Sequence, residues 1–443
     1  MLQPDVDAAV LTDVPRATSR SRAYPWLVFA VIFGLMLSDY MSRQVLNAVF
    51  PQLKGEWSLS DAQLGLLSGV VGLMVGALAL PVSFFSERWD RVKSVVVMAL
   101  FWSLATLGCG LAQHFGHMLV ARLLVGIGEA GYGCVGLALI MSVFPRSMRS
   151  TLTGAFTSAG MFGSVLGMAL GGTVAARFGW RLAFIAMAIF GLLLILAYAL
   201  TVTRKRLARY EQHDGPASAD GARRLQLSGG TPVSAIAKAL FSGPALVFTY
   251  LGSGLQLFTV YAIIAWMPSY LNRYHGLAID RSALAAAALF VVSGIGMALC
   301  GIVADWAGRK APERKATLAI GYCLGSCLLL MVGMRMAPGA AQFTVIAAGI
   351  FLAAGTWGPA GALVADLVPA SIHATALAMI ALANNLLGGA PGPFLTGMLA
   401  DRIGLLGALQ YVPLVSLLAA LAFAVARSTY ARQLRDIAPA GVH

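Results

Sequence analysis

Twelve times along these 443 residues a run of mostly apolar side chains is long enough to cross a hydrocarbon layer as a helix. In lipid every backbone N–H and C=O has to find its partner within the protein, so such runs fold as helices. The runs fall at about 25–50, 62–85, 92–112, 117–144, 151–175, 180–203, 243–268, 283–306, 315–335, 341–368, 373–400 and 405–427. With 59% apolar and only 11% charged residues, against about 25% charged in soluble domains, the chain is expected to be an all-α membrane protein of twelve transmembrane helices.

An even number of crossings puts both termini on one face, and the basic residues say which. With the termini inside, cytoplasmic segments carry 22 Lys and Arg and outer loops carry seven, the bias expected of loops retained in the cytoplasm. The net charge of +13 therefore reads as topology and not as a nucleic-acid surface. The first 24 residues are polar and the apolar run behind them is too long for a signal-peptide core, so no cleavable leader is expected. All five cysteines fall in apolar segments without His or acidic company, which gives no metal site. No phosphate loop and no Ser/His/Asp arrangement is visible, and none of the six histidines lies mid-span, so neither an enzyme nor an ATP-driven pump is expected, and no cofactor.

The longest polar stretch separates six spans from six. The expected organisation is a cytoplasmic tail (1–24), a first half (25–203), a cytoplasmic linker (204–242) with a short interfacial helix at 232–240, a second half (243–427) and a tail (428–443). The halves repeat. SFFSERWDRVK at 83–93 matches GIVADWAGRK at 301–310, which sets Glu87 over Asp305 and Arg91 over Arg309. Phe144-Pro145 with Arg149 matches Val368-Pro369 with His373. Tandem six-span halves are a known transporter architecture.

Ionisable residues inside a span cost at least about 2.5 kcal/mol each, so they normally pair and face a watery cavity. Span 1 holds Asp39 and Arg43, four apart on one face with Tyr40, Gln44 and Asn47 beside them. Span 4 holds Arg122 and Glu129, seven apart and again on one face, flanked by Gly126, Gly128 and Gly131. The second half offers uncharged Gln256, Tyr261, Trp357, Asn384 and Asn385, so proton chemistry is assigned to the first half and substrate grip to the second. Glu129 and Asp39 are the expected proton carriers. Each is expected to pair with Arg122 or Arg43 once deprotonated, and reprotonation frees the arginine for an anionic substrate group.

Over essentially its whole length the chain resembles the major facilitator superfamily. The cytoplasmic signature G-x-x-x-D-R-x-G-R-R/K is nearly complete at Gly301-x-x-x-Asp305-Trp306-x-Gly308-Arg309-Lys310 and degenerate at 83–93. Span 5 reads Gly163-x-x-x-Gly167-Met168-x-x-Gly171-Gly172, similar to the family's antiporter signature with Met168 in place of proline. FWSLATLG at 101–108 and ARLLVGIGEAGY at 121–132 resemble the Spinster branch, with the span 1 acid three positions earlier than in that branch. The resemblance implies a substrate site between the halves lined by spans 1, 4, 7 and 10. It also implies a cytoplasmic gate, here Glu87, Arg88, Arg91, Asp305, Arg309 and Arg149, with Asp366 as partner of the Arg309 loop. The resulting expectation is a monomeric secondary transporter in a bacterial inner membrane. Its cargo is a small organic anion or an amphiphilic, lipid-like molecule, moved with protons by alternating access. The alternatives are a drug/proton antiporter and a sensor that has lost transport.

Overall fold

The computed structural model describes residues 23–88, 90–210, 241, 243–309, 311–368 and 372–437. The tails, the expected interfacial helix at 232–240, the rest of the linker beyond Tyr210, and the side chains of Glu87 and Arg88 lie outside the described residues.

Helix accounts for almost all of what is described. In the first half α1 (Ala23–Trp57), α2 (Asp61–Arg88) and α3 (Arg91–Gly110) are the first three spans. Span 4 is two helices, α4 (Phe115–Glu129) and α5 (Tyr132–Val143), and α6 (Arg149–Phe178) and α7 (Trp180–Thr201) complete the six. The linker begins as a short helix, α8 (Arg204–Tyr210), pinned to the first half by buried Leu207 and by Tyr210 stacked on Tyr24. The second half runs α9 (Pro244–His275), α10 (Ile279–Gly308) and α11 (Arg314–Gly333). Span 10 is α12 (Ala340–Ala354) and α13 (Trp357–Asp366). Span 11 is α14 (His373–Ala383), a π-helical turn (Asn384–Gly389) and α15 (Pro391–Ile403). Span 12 is α16 (Leu405–Tyr411), a 3₁₀ turn at Pro413 and α17 (Val415–Ile437).

Eleven helical segments among the described residues are long and apolar enough to cross a membrane, and span 11, divided by its π turn, is the twelfth. The break in span 4 falls at Gly131, whose φ of 92° is a left-handed conformation that glycine adopts without a Cβ clash. The offset of 224 that sets Phe144-Pro145 on Val368-Pro369 also sets Gly131 on Gly355, between α12 and α13, so the interruption repeats in both halves.

Three buried apolar clusters show how the halves meet. One, with Ile32, Trp102 and Tyr132, belongs entirely to the first half; another, with Leu246, Cys323 and Phe423, belongs entirely to the second. Both lie toward the face that carries the termini. The third is shared, with Phe50, Leu64 and Leu67 beside Ile263, Trp266 and Met267, and it lies toward the opposite, distal face. Phe50 and Trp266 touch across the seam at 5.1 Å between ring centroids. The halves are thus one body distally and two bodies near the termini.

Lipid tails are as apolar as leucine, so helices in a membrane associate by close packing rather than by burial from water. Glycine supplies that closeness at two seams. Gly163 and Gly167 of α6 face Leu37 O and Met41 O of α1, where an added Cβ would stand 2.5 Å from each carbonyl. Gly65 and Gly69 of α2 lie against the backbone oxygens of Pro393 and Ala390, across the boundary between halves. Gly163, Gly167 and Gly171 of span 5 are therefore a packing surface for span 1, while Gly172 packs on Ala283 of α10, with Met168 buried beside them.

Gly167→Val should cost about 1–3 kcal/mol through overpacking, read as a lower thermal unfolding temperature in detergent. Gly154→Ala on the same helix, where a Cβ meets nothing within 4 Å, should be neutral or slightly stabilising. Equal unfolding temperatures for Gly167→Val and wild type would contradict the close α1–α6 approach.

Candidate functional site

The site is built on one face of α1. Asp39 and Arg43 stand a turn apart, and the Arg43 Nε lies 3.6 Å from Asp39 Oδ1. Glu129 comes to the same guanidinium from α4, with its Oε2 2.7 Å from Arg43 Nε. Glu129 is the last residue of α4, immediately before the break at Ala130-Gly131. Gly126 and Gly128 bring α4 against Val71 of α2 and Trp102 of α3, which sets the carboxylate deep enough to reach α1. Both acids are buried, whereas 19% of the Arg43 side chain is exposed, toward the cavity it lines. Neither Glu129 oxygen has an aligned hydrogen bond among the described residues, and neither do Asp39 Oδ1 and Arg43 Nε. The Arg43 contacts are thus charge contacts at these atoms, and a buried charge without its full set of hydrogen bonds is costly.

Arg122 does something different from the expected pairing. It is 1% exposed and forms no ion pair among the described residues. Its Nε donates to Leu67 O (3.2 Å) and its Nη1 to Ser42 O (3.1 Å), so it ties α4 to the backbones of α1 and α2 beside Arg43. The reason is position. Glu129 lies two helical turns along from Arg122, next to the break that turns it toward α1, and the α1 guanidinium reaches it first.

A cavity of about 580 Å³, counting the space that opens to solvent, sits on this cluster. Its first-half wall holds Tyr40, Arg43, Gln44 and Asn47 of α1, Ser68, Val71 and Gly72 of α2, and Arg122 of α4. Its second-half wall holds Tyr261, Ile264 and Ala265 of α9, Phe290 of α10, and Asn385, Gly389 and Pro393 of span 11. Ser68 Oγ donates to Asn47 Oδ1 (2.9 Å), and Asn47 Nδ2 donates to Gln44 Oε1 (2.8 Å).

Of the second-half candidates, Tyr261 and Asn385 come to the cavity; the other three do not line it. Gln256 is buried with its Nε2 donating to Ser326 Oγ (2.9 Å), and Asn384 accepts from Ser253 Oγ (2.8 Å), both bonds that join helices. Trp357 is 43% exposed at the start of α13. Within the π turn, adjacent Asn384 and Asn385 face a neighbouring helix and the cavity respectively. Spans 2, 8 and 11 line the cavity besides spans 1, 4 and 7, and no span 10 residue does. Span 2 is not among the spans expected at the cavity; the spacing of Gly65, Ser68, Gly69, Gly72 and Gly76 on one helix face is the sequence signal that could have marked it as a contact surface.

The distal face carries an ionic latch that sequence reasoning did not single out. Arg273 at the end of α9 grips Asp61 at the start of α2 with two bonds, Nη2 to Oδ1 (2.7 Å) and Nη1 to Oδ2 (2.9 Å). Lys54 adds a third at 2.6 Å from within the first half. Asp401 of α15 accepts from the backbone N–H of Asp61 (2.7 Å) and of Ala62 (2.9 Å), so a carboxylate of one half caps a helix of the other. On the termini face, Arg91, Arg149, Asp305 and Arg309 are exposed, and Asp305 forms no ion pair with Arg309 among the described residues. Among the described residues Asp366 does not pair with Arg309. It accepts from Lys315 Nζ (2.8 Å) and Tyr430 OH (3.0 Å), because Arg309 caps the end of α10 and points outward while Lys315 opens α11 alongside.

The sequence model described as Major Facilitator Superfamily matches residues 32–393. The chain is similar to the gallate transporter of Pseudomonas putida, 28% identical over 88% of this chain and 90% of that one. It is also similar to protein spinster homolog 1 of Rattus norvegicus, 26% identical over 88% of this chain and 75% of the relative. Among solved structures, a bacterial homolog of the human lysosomal transporter Spinster, inward-facing and unoccupied, superposes with a TM-score of 0.83 at 21% identity, over 93% of this chain and 99% of that one.

If the distal latch holds the halves together, Arg273→Gln should loosen that face by about 1.5–3 kcal/mol, the worth of a hydrogen bond to a charged group. A cysteine replacing Ser68 in the cavity, in a variant lacking the native cysteines, should then react roughly tenfold or more faster with a membrane-impermeant maleimide supplied from the distal side. An unchanged rate would show that the latch does not govern closure.

Proposed function

Since this chain belongs to the Major Facilitator Superfamily and is a multi-pass membrane transporter of small molecules, we propose that it carries a small organic anion together with a proton. One observation carries the reading: a single guanidinium, Arg43, contacts two buried carboxylates, Asp39 and Glu129, while Arg122 beside them hydrogen-bonds to backbone carbonyls and forms no ion pair among the described residues. With both acids ionised the four charges cancel. When one acid takes a proton, the cavity is left with a net positive charge and an arginine with a free face. A substrate carboxylate neutralises that charge, and guanidinium suits it geometrically. Proton and anion therefore favour each other's binding, which is the thermodynamic content of symport.

Glu129, at 2.7 Å from Arg43, is the principal proton carrier on this reading, and Asp39 the accessory one. Arg43 and Arg122 meet the anionic group, with Tyr40, Gln44, Asn47, Tyr261 and Asn385 around the rest of the molecule. A carboxylate that loses its counter-charge in a dry site takes up a proton, because desolvation penalises the charged form. The cycle follows: substrate draws Arg43 away, the acid is protonated, the halves rock, and the pair re-forms on release.

We place the protein in a bacterial inner membrane with both termini in the cytoplasm, acting as a monomer. The latch of Asp61, Arg273, Lys54 and Asp401 is then periplasmic, and the described conformation faces inward. Glu87, Arg88, Arg91, Arg149, Asp305 and Arg309 form the opposing latch of the outward-facing state, with Asp366 first leaving Lys315. The amphiphilic, lipid-like alternative draws support from the likeness to spinster homolog 1. Cationic-drug efflux fits less well, since both buried acids beside the cavity already lie against an arginine.

In proteoliposomes, a panel of aromatic acids, sugar acids, lysophospholipids and cationic drugs should include one anionic class whose addition drives proton uptake. Glu129→Gln should abolish proton-driven accumulation while leaving substrate exchange measurable, and Asp39→Asn should weaken it less. Accumulation at wild-type levels in both variants would make these acids structural and sink the proposal.

A further inference from the structure

A second site lies outside the cavity, where span 6 leaves the membrane. We infer that α8, with the end of α7 and the start of α3, binds an anionic phospholipid, its phosphate held by the α8 arginines and its acyl chains lying along α7. The inference needs only a membrane surface at the termini face and is independent of the cargo and of proton coupling.

The headgroup end is a short cationic helix fixed in place. Four of the six residues from Arg204 to Arg209 are basic, and Arg204, Lys205, Arg206 and Arg209 are all exposed. The opposite face of α8 is anchored: Leu207 is buried in the first-half core, and Tyr210 stacks on Tyr24 of α1 with 4.7 Å between ring centroids. Retention of a loop in the cytoplasm asks only for basic residues somewhere in it. Here they form a fixed array directly after a span, and clusters of roughly four to eight Lys and Arg in that position attract anionic headgroups. A cleft of about 880 Å³, counting the space that opens to solvent, lies between α8, α3 and α5, and Arg91 and Arg204 line it beside Asp90. Asp90 is already engaged, with its Oδ2 3.7 Å from Arg204 and its Oδ1 accepting from the N–H of Val92 (3.0 Å). Two guanidinium groups suit a phosphate, which each can meet with paired N–H donors.

The acyl end is the last stretch of α7. Leu193, Leu196 and Leu200 follow one another at three- and four-residue spacing, hence on one face, and are 59%, 56% and 67% exposed. Since α7 ends at Thr201 and α8 begins at Arg204, this apolar strip gives way to the cationic helix within a few residues. A phospholipid presents its tails and its phosphate in the same order. Tyr24 donates to Thr201 O (3.3 Å), which sets the ends of α1 and α7 at one level. Tyr24 and half-exposed Trp26 mark that level as the headgroup zone, where aromatic residues with a polar edge collect.

The same face of the second half mixes its charges. Exposed Arg309, Arg314, Arg427 and Arg432 stand with exposed Asp305 and Glu313, and Lys315 is paired with Asp366. Charge complementarity therefore assigns the lipid to the first half. A nucleic acid or an acidic peptide would meet the same cations but would leave the leucine strip without a partner.

The test titrates the full-length protein in detergent with phosphatidylglycerol or phosphatidylcholine of the same acyl chains and follows bound lipid by native mass spectrometry. Wild type should prefer phosphatidylglycerol. Each basic residue near an anionic headgroup strengthens binding roughly fivefold. Replacing three of them together, Arg204→Gln, Arg206→Gln and Arg209→Gln, should therefore weaken phosphatidylglycerol binding roughly tenfold or more and leave phosphatidylcholine binding unchanged. A second triple variant, Arg314→Gln, Arg427→Gln and Arg432→Gln, removes equal charge from the second half and should keep the wild-type preference. If the α8 triple variant does not fold, Arg206→Gln and Arg209→Gln are measured singly, each expected to lose roughly fivefold. Equal binding of the two lipids by wild type, an unchanged preference in the α8 variants, or an equal loss in the second-half variant overturns the inference. Displacement of the lipid by inorganic phosphate at matching concentration also overturns it, since the site would then serve a free anion.

Discussion

One guanidinium shared by two carboxylates in a nearly dry site is the interaction on which the arrangement of the first half depends. Arg43 can hold Glu129 only if α4 comes close to α1, and that approach needs glycine at 126 and 128, where any Cβ would strike α2 or α3. It also needs α4 to end where it does, at the break before Gly131. Arg122 then fastens the same three helices through Ser42 O and Leu67 O. Replacing such a cluster by apolar residues of equal volume is often neutral or stabilising in proteins generally, so a buried ionic site reads better as a device for switching than as a source of stability.

The second half answers with a different chemistry. It brings rings, amides and exposed backbone to the cavity and no ionisable acid or base other than the Tyr261 phenol. This asymmetry suits a rocking mechanism. The charged groups that change protonation move as one body with α1 and α4, while the groups that enclose the cargo arrive from the other body. The three apolar clusters record where that motion stands: one shared core at the distal face, and two separate cores at the termini face. The glycine seam of α2 against span 11 lets the distal face close to backbone contact, and Asp61, Arg273 and Asp401 hold it there.

Much of this was legible in the chain. The apolar runs marked the spans, and the break in span 4 has a counterpart at the position that the Phe144-Pro145 repeat assigns to it. The four intramembrane charges marked the cluster because such residues are costly without a partner or a task. Helical periodicity also put Asp39, Tyr40, Arg43, Gln44 and Asn47 on one face, and of these all but Asp39 line the cavity. Less legible was the distal latch. Lys54, Asp61, Arg273 and Asp401 lie in loop-flanking positions where charges are ordinary, and nothing local distinguishes those that meet across 212 or 340 residues of chain.

The sequence by itself therefore determined the fold class and the number of crossings, and it pointed to a division into halves and to the residues that cannot sit idle in a bilayer. These follow from hydropathy, chain reach and desolvation, which are properties of single residues and short segments. Only the tertiary structure decided that Glu129 pairs with Arg43 and not Arg122, that Asp366 is held by Lys315, and that Gln256 and Asn384 join helices while Tyr261 and Asn385 face the cavity. Periodicity gives the face a side chain occupies. Which of two guanidinium groups reaches a carboxylate depends on a glycine break and on how closely two helices approach, and both are set by contacts between segments far apart in the chain.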